Sequence, residues 1–345
     1  MMDGTPSWFG ESLAALTERR DLSREQIRAA MRDMIEGQCG EVEMAAWLIA
    51  LRMKGETATE LAAAAAVLRE HMVPFETGRS DALDTCGTGG DETRTFNIST
   101  ATAFVAAGAG VPVVKHGNRA VSSCSGSADV LQALGVTLQE GISWSRHCLE
   151  RAGLAFCYAP HFHPALCHVV PLRGRLKTRT LFNCLGPLAN PAGTPYQLLG
   201  VGRPELLEPM AGAVARLGIR RAFLVHSRDG LDEVSLSAPT MVREVRGHEV
   251  LAHEWTPRDF GLPCCSLDEL KVASPEESAA LIRGLLWGQD SAAARIVIAN
   301  AAAALLAAER ANTLLEGAQR ATDALRSGKA RQVLELLIAC SEGAP

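Results

Sequence analysis

Apolar side chains recur at helical spacing through the first part of the chain. Leu13 and Leu16, and then Ile27 and Met31, stand three or four residues apart, which places each pair on one face of an α-helix. No alternation of apolar and polar residues, the pattern of a half-buried strand, interrupts residues 10–73. This part of the chain is therefore predicted to be helical.

Polar residues indicate where some of these helices begin. Ser23, with Gln26 three positions later, is a capping-box candidate, and Thr57 is the expected cap of a helix over 59–72. A further helix is predicted over 41–53. Nothing in these helices indicates catalysis, so we expect them to serve packing or dimerisation.

Short apolar runs alternate with helical stretches in the rest of the chain, after Pro74, Gly78 and Asp81. One strand is predicted to lead into Gly87, and the others are predicted over 111–114, 154–158, 197–201, 222–225, 242–245 and 250–255. The predicted helices begin near 101 and then cover 143–152, 204–217, 276–287, 291–310, 313–327 and 329–340. This alternation predicts an α/β fold, with a small all-helical N-terminal domain and a larger α/β domain whose largely parallel central sheet is covered by helices.

The two predicted domains divide near Gly78. We expect residues 1–78 to form the helical domain, joined by the 164–180 segment, and residues 79–345 to form the α/β domain. Four basic residues lie between Arg173 and Arg179 in that segment. Such a run is usually a solvated helix face, but beside an anion site it could close over the ligand.

Glycines and polar residues collect at two predicted strand-to-helix turns between residues 84 and 134. The first turn reads GTGGD and is followed by NIST, and the second begins KHGNR and continues with serines at 122, 123, 125 and 127. Free N–H groups at helix starts, the helix dipole and glycine-rich backbone all favour a bound anion. Two such turns in one βαβ-like unit predict a phosphate site, and a polyphosphate more than a single phosphate.

The glycines alone are a weak signal, because GTGGD by itself is most often just a turn. Gly87, Gly89 and Gly90 do not fit G-x-G-x-x-G, and no G-K-[ST] follows them. The dinucleotide-binding and P-loop motifs are therefore both excluded.

Charge and apolar content restrict the classes of function. The formal charge is −5, from 39 acidic and 34 basic residues, which argues against non-specific nucleic-acid binding as the main activity. The longest apolar runs, 101–114 and 296–308, are shorter than the roughly 20 residues of a membrane helix, and the acidic Asp3 and Glu11 with no basic start lead us to expect no signal peptide. A soluble cytoplasmic protein is expected.

The ten cysteines form no C-x-x-C pair. In a chain of this length they are expected to be reduced and mostly buried. Cys167 with His163 and His168 resembles a zinc cluster, but a structural role for these residues is the preferred interpretation.

GTGGD, NIST and KHGN, in this order and at this spacing, resemble the anthranilate phosphoribosyltransferase family, whose fold family also holds the pyrimidine nucleoside phosphorylases. The run FNCLGPLANP at 182–191 resembles the family's FN-x-LGPL-x-NP, and the His163-Pro164 pair followed by Arg173 also matches. The resemblance therefore covers essentially the whole chain. It implies transfer of the 5-phosphoribosyl group from phosphoribosyl pyrophosphate to the amino group of anthranilate, with release of pyrophosphate, in tryptophan biosynthesis. It also implies a homodimer formed through the helical domain.

The resemblance implies roles for individual residues. Those matching the phosphoribosyl-pyrophosphate loops are Gly87, Gly90, Asp91, Thr95, Asn97, Ile98, Ser99, Thr100, Lys115, His116, Gly117, Asn118, Arg119, Ala120, Val121, Ser122, Ser123 and Ser127. Those matching the anthranilate positions are Gly87, Asn118 and Arg173, of which Arg173 suits a carboxylate because its fork can bind bidentately.

The adjacent carboxylates of Asp232 and Glu233 would usually form a solvated turn. Beside a pyrophosphate they would instead hold Mg²⁺, which takes one or two carboxylates plus phosphate oxygens. The resemblance implies metal ligation by Ser99, Asp232 and Glu233, with two Mg²⁺ ions expected. Both carboxylates are expected near the surface.

Three residues leave questions open. His116 is a candidate for accepting a proton late in the reaction, and a structural role is an equal alternative. Glu92 stands where the family usually has Gly, and Cys124 where Lys is common, so weaker donor binding is expected. Neither of the two departures, Glu92 and Cys124, touches a matched contact.

Two other functions are weighed against this one. A pyrimidine nucleoside phosphorylase would need its own phosphate-loop signature in place of GTGGD and KHGN, and none is found. A nucleic-acid-binding paralogue that kept the fold and lost the activity is opposed by the acidic charge and by the matching residues.

Overall fold

The computed structural model describes residues 6–120, 125–139 and 141–342. Its first part is helical, as predicted, with α1 (Phe9–Thr17), α2 (Arg24–Ile35), α3 (Glu41–Lys54) and α4 (Ala58–Glu70). The capping boxes expected at the starts of α2 and α4 are formed. Ser23 pairs with Gln26 and Thr57 with Glu60, so two N–H groups at the start of each helix are satisfied.

A seven-stranded sheet forms the centre of the second part in the order β3-β2-β1-β4-β5-β6-β7. Its strands are β1 (Leu83–Gly87), β2 (Val113–Gly117), β3 (Leu154–Tyr158), β4 (Tyr196–Gly200), β5 (Arg221–Ser227), β6 (Thr240–Arg246) and β7 (Glu249–Trp255). The first five run parallel, and the predicted hairpin of β6 and β7 continues the sheet antiparallel. The prediction of an α/β fold with a mostly parallel sheet is therefore confirmed.

Helices cover both faces of this sheet. They are α5 (Ile98–Gly108), α6 (Ser127–Ala133), α7 (Ile142–Ala152), α8 (Ala159–Phe162), α9 (Val170–Leu176), α10 (Phe182–Leu185), α11 (Leu207–Arg216), α12 (Pro275–Leu286), α13 (Ala292–Ala307), α14 (Leu314–Arg326) and α15 (Lys329–Glu342). Short 3₁₀ helices occupy Pro164–His168, Gly186–Leu188, Pro204–Leu206, Pro257–Phe260 and Leu267–Leu270.

Alternate residues of the strands point into two different cores. Leu198 and Phe223 join the core built with α5 and α13, whereas the next residue of each strand, Leu199 and Leu224, joins a second core. That second core continues through α11 into the N-terminal helices, where Trp47 is fully buried. The helical part is thus packed on one face of the sheet.

Two predictions about local structure were wrong. The strand expected at 111–114 begins two residues later and continues to Gly117, because its register pairs Val113 with Leu154 and Gly117 with Tyr158. Lys115 therefore lies within a strand and not in the turn after it. The connection expected to be irregular between 160 and 180 contains α8, a 3₁₀ turn and α9, which pack on the helical part through Val169 and Leu172.

Candidate active site

The glycine-rich turn lies at the point where the strand order reverses. β1 and β4 are neighbours, with β2 and β3 to one side and β5 to the other, so the connections that follow β1 and β4 diverge and leave a crevice. The amide of Thr88 donates to the carbonyl oxygen of Gly200 at 2.8 Å, and the amide of Gly202 donates to Oγ1 of Thr88 at 2.9 Å. These bonds attach the turn after β1 to the end of β4.

The loop after β5 brings Asp232 and Glu233 into the same crevice. A Cβ atom at Gly200 would overlap the carbonyl oxygen of Asp232, and one at Gly87 would lie 3.1 Å from its Oδ2. The backbone of Gly89 favours the ionised form of Asp232 and so opposes the rise of its pKa, and the backbone of Ser99 does the same for Glu233. Glycines at the strand ends thus make room for the carboxylates in the crevice.

Burial and neighbouring negative charges dominate the electrostatics of both carboxylates. Burial, and next the charge of Asp91, raise the pKa of Asp232 to about 7. Burial and the charge of Asp232 raise the pKa of Glu233 well above its usual value, with Lys115 opposing the rise. The expectation that both residues lie near the surface was wrong for Glu233, which is 8% exposed, because the loop folds inward over the strand ends.

Lys115 supplies the buried positive charge of the site. It is 2% exposed, and its Nζ donates to the carbonyl oxygen of Thr85 and, at 3.0 Å, to Oγ of Ser99. Burial lowers the pKa of Lys115, while the charges of Asp84 and Glu233 oppose the lowering. The ammonium group therefore lies beneath the first turn, between the carboxylates and the start of α5.

The start of α5 presents capped N–H groups. Oδ1 of Asn97 accepts from the amide of Thr100 at 3.0 Å and from Oγ of Ser99 at 3.3 Å. Ile98 and Thr100 are buried, whereas Ser99 is partly exposed. Of the NIST residues, Ser99 is thus the one whose side chain joins Lys115 to the crevice.

The second turn offers fewer free amides than the sequence predicted. The carboxylate of Asp129, in the first turn of α6, accepts from the amides of Ala120 and Gly126 at 2.8 Å and 3.2 Å and pairs with Arg119 at 2.9 Å. The Asp129 side chain thus already satisfies these two N–H groups from within the chain. Val121, Ser122 and Ser123, together with Cys124, lie outside the described residues.

The remaining residues of the two turns differ in exposure, contacts and backbone conformation. Gly117 leaves no room for a Cβ between Ser127 and Phe156, and Asn118 is exposed. In the first turn Asp91 accepts from Oγ1 of Thr93 at 2.5 Å, while Thr95 forms a β-bridge with Lys271. Glu92 is exposed and has a φ of 59°, in the left-handed region where glycine is unstrained. That backbone geometry gives a physical reason for a glycine at this position.

His116 and His163 form a buried pair with ring centroids 5.0 Å apart. Nδ1 of His116 lies 3.0 Å from the carbonyl oxygen of Gly186, and Nε2 of His163 lies 3.0 Å from that of Ala189, so each of these nitrogens carries the proton. Burial, and next the neighbouring His163, lower the pKa of His116 to about 3, and burial lowers that of His163 to about 4. Within the described residues the other nitrogen of each ring has no hydrogen-bond partner.

The basic run after His163 divides into separate contacts. Arg179 reaches the glycine-rich turn, where Nη2 donates to the carbonyl oxygen of Thr88 at 2.6 Å and the guanidinium fills the space beside Gly90. Arg175 pairs with Glu41 on α3, away from this turn. Arg173 lies with its guanidinium carbon 5.7 Å from the ring centroid of Phe182, and burial lowers its pKa, followed by the charge of Arg179.

Several buried polar residues that support these groups were not identified from the sequence. The carboxylate of Asp84 accepts from the amide of His116 at 3.3 Å and from Nδ2 of Asn190 at 2.8 Å. Asn300, which lies within the apolar run 296–308, bonds to the backbone of Val234. A lone buried amide or carboxylate inside an apolar element is the signal that could have revealed them.

Metal clusters and membrane-spanning helices can also be searched for among the described residues. Across 6–120, 125–139 and 141–342, no group of three or more His, Cys, Asp and Glu side chains could hold a metal ion, and this includes Cys167 with its neighbouring histidines. In the same residues, no helix has both the length and the apolar character needed to cross a bilayer.

Comparison with known proteins identifies the family. The helical bundle domain of the glycosyl transferase family matches residues 11–72, and the a/b domain of that family matches residues 79–331. Anthranilate phosphoribosyltransferase from Thermomicrobium roseum is 48% identical over 333 residues, which cover 95% of this chain and 96% of the relative. The chain belongs to the anthranilate phosphoribosyltransferase family. The enzyme of that name from Symbiobacterium thermophilum is 46% identical over 94% of this chain and 95% of its own length.

Solved structures of anthranilate phosphoribosyltransferases share the whole fold. The enzyme from Thermus thermophilus aligns with a TM-score of 0.89 at 41% identity, covering 96% of this chain and 99% of that one. The Saccharomyces cerevisiae enzyme in complex with PRPP and Mg aligns with a TM-score of 0.87 at 27% identity, covering 97% and 99%. The resemblance inferred from GTGGD, NIST and KHGN is therefore confirmed.

Proposed function

We propose that this protein transfers the 5-phosphoribosyl group of phosphoribosyl pyrophosphate to the amino group of anthranilate, as a step of tryptophan biosynthesis. A bond forms between the nitrogen and C1 of the ribose, the bond from C1 to pyrophosphate breaks, and the nitrogen loses one proton. The observation that carries the proposal is the meeting of the glycine-rich turn, the start of α5 and the Asp232–Glu233 pair at one crevice of the sheet.

Phosphoribosyl pyrophosphate is proposed to bind along the two turns. The amides of the glycine-rich turn and the positive end of α5 suit its phosphates, since both offer N–H groups to an anion. The proposed contacts are Gly87, Gly90, Asp91, Thr95, Asn97, Ile98, Ser99, Thr100, Lys115, His116, Gly117, Asn118, Arg119, Ala120, Val121, Ser122, Ser123 and Ser127. Support comes from the structural relative crystallised with PRPP and Mg.

The carboxylate pair fits a divalent cation. The pKa values of Asp232 and Glu233 are raised first by burial and next by neighbouring carboxylates, while Arg179 opposes the rise at Asp232 and Lys115 opposes it at Glu233. A pyrophosphate would add further negative charge, so hard cations with carboxylate and phosphate oxygens as ligands suit the site, and no all-protein cage is needed. We assign Asp232, Glu233 and Ser99 as the residues that hold Mg²⁺, with two ions expected. When bound, Mg²⁺ supplies the neutralisation of charge on the departing pyrophosphate.

The acceptor is proposed to lie against Gly87, Asn118 and Arg173. Among the described residues no carboxylate pairs with Arg173, so its partly buried guanidinium is available to the carboxylate of anthranilate. An aromatic amine carries its lone pair at neutral pH, so the residues need to position it rather than deprotonate it. With a pKa of about 3, His116 is neutral at pH 7 and is a weak acceptor, which suits only the acidic proton present after the C–N bond has begun to form.

Release of pyrophosphate from phosphoribosyl pyrophosphate and anthranilate, in the presence of Mg²⁺, tests the proposal directly. The variant Asp232→Asn/Glu233→Gln should lose turnover, as should the wild type after chelation. Asp268→Asn/Glu269→Gln is the matched control, because the same dipeptide stands there on the exposed surface. Release that is unaffected by chelation would refute the metal assignment, and no release by the wild type would refute the function.

The alternative functions have distinct readouts. Phosphate-dependent cleavage of a pyrimidine nucleoside would indicate a phosphorylase, and salt-dependent duplex binding would indicate the nucleic-acid paralogue. Neither alternative is favoured, because the relatives at 45–48% identity are anthranilate phosphoribosyltransferases over nearly their whole length.

We also propose that the protein is a homodimer formed through its helical domain. We take this domain as residues 1–78, joined by the 164–180 segment, and the α/β domain as residues 79–345. Val42 and Met53 lie three turns apart on one face of α3 and are 77% and 72% exposed, and Val170 at the start of α9 is 54% exposed. Exposed apolar side chains of this size favour burial in an interface. Sedimentation velocity of Val42→Asp/Met53→Asp should then show a smaller species than the wild type. The cytoplasmic location remains a prediction.

A further inference from the structure

A single amide side chain interrupts the apolar helix α13. Asn300 is fully buried, and its neighbours along the helix are alanine, isoleucine, valine and leucine side chains. A primary amide in such surroundings is costly unless its donors and acceptor are all used. Nδ2 of Asn300 donates to the carbonyl oxygens of Ile296 and Val234, and Oδ1 accepts from the amide of Val234, each at 2.9 Å.

Asn300 therefore satisfies both backbone groups of Val234. This reciprocal pair resembles the bonding that a neighbouring strand would provide, although here it comes from a helix. Val234 is itself fully buried, so without the amide its N–H and C=O would lack partners in an apolar environment.

Val234 directly follows Glu233 in the chain. Asn300 thus holds the peptide group between Glu233 and Val234. The orientation of this peptide group sets the direction in which the Glu233 side chain points. Within the same loop, Ser235 and Ser237 donate to the carboxylate of Asp229. These bonds shape the loop, whereas Asn300 ties it to the helical layer behind the sheet.

We propose that Asn300 is a positioning residue for the metal-binding carboxylates, acting through the backbone of Val234 to aim Glu233 and Asp232 into the crevice. The inference rests on the proposed function, because it assigns a role toward the cation that those carboxylates hold. Partners that orient metal ligands from behind contribute to affinity, and their loss typically costs about 10- to 100-fold in metal binding.

The test measures binding of Mn²⁺, as a probe for Mg²⁺, by electron paramagnetic resonance in the presence of saturating phosphoribosyl pyrophosphate. Asn300→Leu removes the amide at similar volume and should raise the Kd for Mn²⁺ at least tenfold. It should also lower kcat, while the KM for anthranilate changes less than about threefold, because Asn300 is proposed to act through the metal ligands.

Val297→Ala is the matched control, since it shortens another fully buried side chain of α13. It should lower the free energy of unfolding yet leave the Kd for Mn²⁺ as in the wild type. If Asn300→Leu does not fold, Asn300→Asp keeps the shape and one acceptor for the amide of Val234, and should show the same weakened binding.

The possible results distinguish failure of the positioning role of Asn300 from failure of the proposed function. Wild-type Mn²⁺ affinity in a folded Asn300 variant, or failure of both variants to fold, would overturn the positioning role alone. Absence of Mn²⁺ binding by the wild type with donor present would overturn the proposed function and this inference with it.

Discussion

Nζ of Lys115 lies 3.0 Å from Oγ of Ser99, within the protein rather than at its surface. The same ammonium donates to the carbonyl oxygen of Thr85 and faces the charges of Asp84 and Glu233. Lys115 thus links β1, β2 and the start of α5, and it balances part of the negative charge that the carboxylates bring. Lys115 therefore helps to hold the strand ends and the start of α5 together.

Replacing Lys115 with Met should destabilise the fold as well as abolish turnover. Removing one partner of a buried ionic group leaves the other charge uncompensated, which typically costs about 3–5 kcal/mol. The free energy of unfolding in urea measures this change. Lys271→Met is the control, because Lys271 pairs with Asp268 on the exposed surface and its loss should cost at most about 1 kcal/mol. Equal effects of the two substitutions would show that Lys115 has no such electrostatic role.

Gly200→Ala should impair catalysis without touching a charged group. A Cβ at this strand end would overlap the carbonyl oxygen of Asp232, so the loop carrying the carboxylates must move. A displacement of about 1 Å at a reacting centre can cost about 100-fold in rate, and we expect a loss of kcat of that order. Gly10→Ala in α1, where no atom lies within 4 Å of the added Cβ, is the control and should keep wild-type rates. An unchanged kcat in Gly200→Ala would mean that the loop tolerates the shift.

Much of the architecture could be predicted because it depends on local patterns. The helical part follows from apolar spacing and from the capping pairs at Ser23 and Thr57, and the parallel sheet follows from strands alternating with helices. The N-terminal bound of β2 was missed by two residues because the register with β3, a tertiary contact, determines where pairing begins.

The motifs of the site could be predicted from the sequence, but the buried contacts that hold them in place could not. GTGGD and the Asp232–Glu233 pair were each weak signals alone, but with NIST they matched one family in order and spacing, and the fold brings them together. The lone amide of Asn300 in an apolar helix indicates a bonded side chain, but its partner Val234 and the burial of Glu233 could not be predicted, because both depend on how the loop after β5 folds over strands that are distant in sequence. The satisfied amides of Ala120 and Gly126 depend in the same way on the orientation of Asp129.

The buried histidine pair should make the protein less stable in mild acid. Burial, reinforced for His116 by the neighbouring ring, lowers the pKa values of His116 and His163 to about 3 and about 4, whereas an unfolded histidine titrates near 6.5. Between those values the unfolded chain binds protons that the folded chain does not, so the free energy of unfolding falls as the pH falls. At pH 5 each histidine should cost about 2 kcal/mol relative to pH 8.

Urea unfolding of His163→Gln at pH 8 and pH 5 tests this linkage. The variant removes one titrating group and should lose about 2 kcal/mol less than the wild type between the two pH values. Phe162→Leu, a substitution of the buried neighbour, should lower stability by the same amount at both pH values. A pH dependence of His163→Gln identical to that of the wild type would contradict the prediction.

Arg173→Ala should weaken binding of the acceptor, anthranilate, far more than binding of the donor, phosphoribosyl pyrophosphate. The guanidinium is partly buried, lies 5.7 Å from the ring centroid of Phe182 and has no paired carboxylate among the described residues, so a substrate carboxylate would be its ionic partner. A charge-assisted hydrogen bond contributes about 1.5–3 kcal/mol, which corresponds to a roughly 10- to 100-fold rise in KM for anthranilate. The KM for phosphoribosyl pyrophosphate should change little.

Aniline, as a second acceptor, tests whether Arg173 binds the carboxylate of anthranilate. Aniline has the amino group of anthranilate without the carboxylate, so the slow reaction of aniline should be nearly the same in Arg173→Ala and in the wild type. Arg175→Ala controls for loss of charge on the same helix, because Arg175 pairs with Glu41 and should not alter either KM. If Arg173→Ala slows aniline as much as anthranilate, then Arg173 shapes the crevice in general and the carboxylate of the acceptor is bound elsewhere. If only the anthranilate reaction suffers, the difference between the two acceptors measures the contact itself, since the rest of the variant enzyme is common to both.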